Sequence, residues 1–217
     1  DTVTGKDGHY KILKQFADKK ADILVGTQMI AKGHDFPAVT LVGILDADMS
    51  LHFSDYRSGE RTFQLITQVA GRSGRADDKG KVVLQTYSPE NYILRYAVEY
   101  DYAAFFENEV KMRKAALFPP YSLICRVMVT AEEDEAALEA LKKVYLAIEE
   151  IRARDPQEFI FFNKMHSPIK RIQGRVRYQV LARMRTDKYL SKIYDIAVES
   201  SSANALVYVE ENPVNLS

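Results

Sequence analysis

The 217-residue chain has one cysteine, no tryptophan, four histidines and no net charge, with 30 Lys and Arg against 30 Asp and Glu. A lone Cys125 removes any disulfide framework and any cysteine-rich zinc site, and it suits a reducing interior. His9, His34, His52 and His166 lack paired ligand spacing, so no metal centre is expected. No apolar run approaches the ~18 residues that cross a bilayer. The strongest, 39–45, is broken by Asp46 and Asp48, and no membrane partner is expected. An even charge count argues against a polyanion partner, which usually calls for a basic excess. The phosphate-cradling pattern G-x-x-x-x-G-K-[ST] is missing too, since Gly5-Lys6 is followed by Asp7 and Gly80-Lys81 by Val82. No start methionine or targeting segment opens the chain, and DTVTGKDG reads as a cut into something larger, so a fragment is expected.

What is present is ordinary globular material, 47% apolar and 28% charged, with a length that suits two small domains. Up to about residue 104, apolar runs alternate with helical periods. A helix is predicted over 9–17, with short buried strands over 22–26 (DILVG), 39–46 (VTLVGILD) and 81–87 (KVVLQTY). A further helix over 58–70 carries Phe63, Ile66, Val69 and Ala70 on one face. Near-continuous apolar strands separated by helices predict an α/β domain, a parallel sheet covered on both sides.

The segment LFPPYS cannot remain helical past Phe118, because a residue before proline is pushed to extended geometry. A boundary there divides the chain into 1–117 and 118–217. Beyond it the predicted order is strand (123–130), helix, strand (159–162), strand (within 174–185), helix, strand (205–209). Thr130-x-x-Glu133 has the form of a capping box, and Leu138, Leu141, Tyr145 and Ile148 follow at helical spacing. Leu190, Ile193, Tyr194 and Ala197 mark the second helix. This βαββαβ order predicts a smaller α+β, ferredoxin-like domain with its helices on one face.

Two stretches carry candidate chemistry. In QVAGRSGR (68–75), a helix ending at Gly71 and Gly74 leaves Arg72 and Arg75 on a backbone-permissive turn. Two such guanidiniums can grip phosphate oxygens bidentately, as lysine cannot; a helix end with two solvated arginines is the plainer alternative. GTQMIAKGHDFP (26–37) directly follows DILV, which places Gly26 and Thr27 at the carboxyl end of a parallel strand, where open α/β sheets bind ligands. The turn offers backbone N–H groups to phosphate, with Thr27 and Gln28 adding neutral hydrogen bonds. Asp35 can accept from a ribose hydroxyl or an arginine. Asp134-Glu135 looks like an acidic magnesium box but sits at a helix start, where it favours the helix dipole. Asp46, Asp48 and Asp55 read as helix caps or partners of Arg57 and Arg61.

Taken together, GTQMIAKGHDFP resembles helicase motif V and QVAGRSGR resembles motif VI, in the order found in the second RecA-like lobe of superfamily 2 helicases. With LDADMSL and DYRSGERTFQLITQVAGRSGR, the wording is similar to the PriA-type replication-restart helicases. The likeness runs through Phe118-Pro119-Pro120 and, more loosely, KRIQGRVRYQVLARM to VYVEENPV. Ser73 stands where that family usually has Ala, and Tyr56 where it has Phe; neither change removes a charge. The resemblance implies an ATP-dependent 3′-to-5′ DNA helicase of the bacterial cytoplasm and nucleoid, acting in primosome assembly and fork restart. Arg75 then matches the arginine finger, and Arg72 and Gln68 match motif VI positions that contact nucleotide or bridge the lobes. Gly33 and Asp35 match the nucleotide edge of motif V, and Thr27 and Gln28 the single-strand phosphate contacts. ATP and magnesium would be held mainly by a first lobe absent from this chain, as are the family's cysteine-rich zinc segment and amino-terminal DNA-binding domains, so the chain alone is expected to be inactive. The implied partners are forked or single-stranded DNA, a single-stranded-DNA-binding protein and primosome proteins, with the protein itself a monomer. A non-enzymatic nucleic-acid or protein-docking module on a helicase-like scaffold is the alternative.

The even charge also conceals a gradient. Residues 164–185 hold seven Lys and Arg and no acid, whereas 131–158 hold nine acids against four basic residues. With Val176, Tyr178, Val180, Ala182 and Met184 on one face of the strand, Arg175, Arg177, Arg183 and Arg185 share the other. If helices cover the apolar face, the arginines are expected to line an open one and bind DNA phosphates; a solvated face laced to glutamates is the alternative.

Overall fold

In a computed structural model the described residues are 8–27, 39–51, 55–71 and 81–216. They form two compact units, Asp1–His52 with Arg57–Phe106, and Phe53–Tyr56 with Glu107–Ser217. The division falls inside one helix, and Phe118-Pro119-Pro120 lies within the second unit.

In the first unit, α1 covers Gly8–Ala17, β1 Leu41–Ile44, α2 Ser58–Ala70, β2 Lys81–Leu84 and α3 Tyr92–Glu99, and α4 starts at Tyr102 and ends at Ala115. β1 and β2 pair in parallel, with Leu41 opposite Lys81 and Ile44 opposite Leu84. The helix expected over 58–70 forms with those bounds, because its apolar stripe has something to close on. It buries Phe63 and Ile66 against Ile93, Leu94 and Ala97 of α3 and Phe105 of α4. The Phe63 and Phe105 rings stack at 4.4 Å. The strand expected over 22–26 is absent. Residues 21–27 carry no strand, and Ile23 and Val25 are 79% and 84% exposed. An apolar run becomes a strand only where a neighbour completes its ladder. The start of α3 is chemically marked: the Asn91 side chain accepts from the Ile93 N–H at 2.9 Å, an ordinary N-cap.

The second unit holds β3 (Leu123–Ala131), α5 (Asp134–Arg154), β4 (Phe159–Ile172), β5 (Arg175–Met184), α6 (Leu190–Ser200) and β6 (Ala205–Glu211). The sheet order is β4-β5-β3-β6, and each adjacent pair is antiparallel. Val127 of β3 faces both Val180 and Val209. One core joins alternate residues of β3 and β5 to Val144 and Ile148 of α5 and Ile193 and Ala197 of α6. Each large aliphatic side chain closed off in this way contributes about 1.5–3 kcal/mol.

Three expectations need correcting here. Thr130 caps no helix: it belongs to β3, α5 is preceded by Glu133, and no side chain caps its start. Leu138 does not face the core but is 45% exposed; Leu141 and Ile148 are buried and Tyr145 packs against the core as expected, and the stripe is completed by Ala137, Val144 and Ile151. The strand expected over 159–162 is 14 residues long and continues to Ile172, because β5 offers it a partner as far as Arg175.

Candidate functional site

The ends of β1 and β2 are tied together by one carboxylate. Asp48 follows β1 in a turn, is 3% exposed, and accepts from the Thr86 hydroxyl at 2.8 Å and the Tyr87 N–H at 2.7 Å beyond β2. Instead of the expected helix cap or arginine partner it serves these two groups, which a carboxylate with two acceptor oxygens can do at once. The Tyr87 N–H is the main reason its pKa is held below the usual carboxylate value; burial opposes it and the Thr86 hydroxyl assists. A depressed folded value stabilises the fold above the unfolded carboxylate range and is lost as pH falls through the folded value. Asp48→Asn is therefore expected to lower stability at pH 7, with the gap to wild type narrowing below pH ~3.9. Denaturant unfolding at pH 7 and pH 3 checks this, and an equal gap at both sinks it.

Helix α2 delivers the motif VI-like stretch. Thr62 anchors it, donating to the Ser58 carbonyl at 2.8 Å and lying 2.8 Å from the Ser50 hydroxyl. Gln68 is exposed on the last turn of α2. Gly71 follows the last residue of α2 with a φ of −66°, in the right-handed region. The glycine matters there for clearance, since a Cβ would meet the Thr67 carbonyl oxygen at 3.3 Å. Thr27 is exposed at the end of its segment. Gln28, Gly33, Asp35, Arg72 and Arg75 lie outside the described residues.

The arginine strand keeps its predicted two faces, but the arginine face is not open along its middle. Val176, Tyr178, Val180, Ala182 and Met184 enter the core. On the opposite face Ile124, Met128 and Gln179 are also buried, at 2%, 0% and 2% exposure. Arg183 is drawn in with them: its guanidinium lies 4.6 Å from the Phe118 ring centre, and its Nε finds no hydrogen-bond partner among the described residues. Burial lowers its pKa from the ordinary arginine value. Phe118 itself stacks on Tyr56 at 5.4 Å. The LFPPYS segment thus supplies an aromatic surface to β5, which alternation along one strand could not reveal. Arg185 donates to the Gln157 carbonyl at 2.9 Å. Arg175 reaches the Thr130 carbonyl at 3.4 Å and the exposed Glu132 carboxylate at 3.6 Å. Arg177 is half-buried, and its side chain makes no hydrogen bond or ion pair among the described residues.

Other groups are occupied structurally. Asp134 accepts from the Tyr178 hydroxyl at 2.8 Å at the start of α5. Burial, helped by the charge of Glu211, pushes the Cys125 thiol up to about 12, which keeps it a packing residue and not a nucleophile. Among the described residues, no group of three or more His, Cys, Asp or Glu is placed to hold a metal ion, and no helix is long and apolar enough to cross a membrane.

Residues 3–77 match the helicase conserved C-terminal domain. The chain is 39% identical to replication restart protein PriA of Bacillus subtilis, over 98% of its own length and 27% of that protein. It is 36% identical to the protein of the same name from Chlamydia muridarum, over 97% of its length and 28% of the relative. For Chlamydia trachomatis the identity is 42%, over 69% of the chain and 20% of the relative.

Proposed function

Since the chain belongs to the PriA replication-restart family, of whose members it spans about a quarter, we propose that it supplies the second lobe and the following domain of an ATP-dependent 3′-to-5′ DNA helicase. The helicase would act in primosome assembly and the restart of stalled forks. The observation that carries this reading is a likeness that continues through both motif-like stretches and across nearly the whole chain. The order β4-β5-β3-β6, with α5 and α6 in one core, supports reading the second unit as a ferredoxin-like sandwich.

In this account ATP with magnesium is held mainly by another lobe, and it supplies phosphoryl-transfer free energy when bound. From this chain, Arg75 and Arg72 neutralise charge on the transferring phosphate, and Gln68, Gly33 and Asp35 meet the nucleotide edge. Gln68 fits that role, being exposed at the last turn of α2. Thr27 and Gln28 hold one DNA strand by its phosphates, and cycling of the cleft moves the lobes along it. Zinc finds no donor set among the described residues, where Cys125 is buried and alone. The partners that follow are forked or single-stranded DNA, a single-stranded-DNA-binding protein and primosome proteins in the bacterial cytoplasm. ATP turnover by this chain alone, stimulated by DNA, would overturn the division of labour between lobes.

For the arginine strand, Arg177 is the informative position, since Arg183 packs on Phe118 and Arg185 and Arg175 already donate to carbonyls. Arg177→Ala is expected to weaken DNA binding several-fold and to lower the salt slope by ~0.9, the share of one phosphate contact. Joint replacement of Arg175, Arg177 and Arg183 should cost more. Unchanged affinity and slope in a salt titration would remove the strand from the DNA path.

A further inference from the structure

The β4–β5 hairpin ends in a tip whose composition neither the core nor the proposed lobe chemistry explains. Its turn is Gln173-Gly174, both at positive φ, 48° and 81°, the two-residue form that suits the twist of a hairpin. Arg171 closes it by donating to the Gly174 carbonyl at 2.6 Å. Below the turn the ladder breaks between His166 and Arg171, whose partners are Tyr178 and Val176. Five steps along β4 therefore span only two along β5, and the excess is pushed out as a bulge at Ser167–Lys170 that contains Pro168, which has no N–H to give the ladder.

This bulge and turn place two large aliphatic side chains in solvent, Ile169 at 53% and Ile172 at 43% exposure. They stand among Lys170, Arg171 and Arg175, in a stretch without an acid from 164 to 185. Lys170 makes no hydrogen bond or ion pair among the described residues. Arg175 reaches the Thr130 carbonyl at 3.4 Å and the exposed Glu132 carboxylate at 3.6 Å, both long contacts, and solvent screens the ion pair heavily. An apolar pair ringed by cations suits a surface that is apolar on its face and anionic at its edges. The end of a DNA duplex is such a surface: its last base pair shows a stacking face, with phosphates on both sides. Proteins that kink or open duplexes insert isoleucine, leucine or phenylalanine in this way, with basic residues on the flanking backbone.

We propose that the β4–β5 tip is a wedge for the junction between duplex and single-stranded DNA. Ile169 and Ile172 pack on the terminal base pair, while Lys170, Arg171 and Arg175 hold phosphates beside it. The proposal rests on the DNA-helicase reading and adds to it the part of the second unit that meets the fork.

The probe is a duplex with a 3′ single-stranded tail and 2-aminopurine in its last base pair, titrated with the 217-residue chain. Wild type is expected to raise the fluorescence about twofold or more as the pair unstacks. Joint Ile169→Ser and Ile172→Ser should abolish the rise while affinity stays within about threefold, because phosphate contacts carry most of the binding. Both side chains are exposed, and an unchanged unfolding midpoint would show that the fold survives. Joint Lys170→Ala and Arg175→Ala should weaken binding about tenfold and lower the salt slope by ~1.8. A full fluorescence rise in the isoleucine variant, or unchanged affinity in the basic one, overturns the wedge. Binding to DNA that ignores the tip refutes the wedge and leaves the helicase reading standing, whereas the loss of that reading is scored separately by ATP turnover in the Arg75 variant.

Discussion

In the proposed helicase, with the ATP-holding lobe present, Arg75→Ala is expected to lower DNA-stimulated ATP turnover by ~10³-fold or more, with nucleotide affinity changed only a few-fold. The asymmetry follows from where an arginine finger works. Charge spreads over the equatorial oxygens of the phosphoryl group only as it transfers, so a guanidinium placed there stabilises the transition state more than the bound nucleotide. Arg75→Lys should fail nearly as badly, since an ammonium cannot present the planar, bidentate fork. Arg75 follows α2 in sequence, and the Phe63 and Ile66 of that helix are fixed in the core of the first unit. Steady-state turnover measured beside equilibrium binding of a labelled nucleotide separates the two effects. Turnover within tenfold of wild type would remove Arg75 from the catalytic centre, and equal losses in affinity and turnover would make it a binding residue instead.

The second large effect concerns the fold of the second unit. Ile148 is fully buried, with 0% exposure, in the core shared by α5, α6 and the sheet. Ile148→Ala removes three carbons from a close-packed site that relaxes only partly, and is expected to cost about 2–5 kcal/mol. In a domain of this size that lowers the midpoint of thermal unfolding by about 10 °C or more. Leu146, two residues away and 50% exposed, is the control: Leu146→Ala should fall within about 0.5 kcal/mol of wild type. Calorimetry or denaturant unfolding of both variants checks the pair. Equal losses would mean that α5 packs on a different face.

The same helix shows what residue order could and could not reveal. Its existence and the burial of Leu141 and Ile148 follow from apolar spacing, but the spacing also admits Leu138, and only the packed sheet leaves that residue out and adds Ala137, Val144 and Ile151. α4 left little trace because it buries only Phe105, so no apolar stripe marks it. DILVG had the composition of a buried strand and did not become one, because no ladder partner joins it among the described residues. At the candidate site, QVAGRSGR and GTQMIAKGHDFP were legible as motifs, since their meaning is carried by residues a few positions apart. The fate of Arg183 was not, because Phe118 reaches it from a distant part of the chain.

The sequence by itself determined the span of α2, the two-faced alternation of β5, the acid-free basic stretch and the family. Each of these is carried by near neighbours or by matching order along the chain. Only the tertiary structure decided that the arginine face is closed at Arg183 and that Asp48 serves Thr86 and Tyr87. It also decided that the exposed cations and isoleucines gather at the tip of a bulged hairpin. Those outcomes depend on which distant groups exclude water from one another, and burial of that kind is a property of packing between elements and not of local pattern.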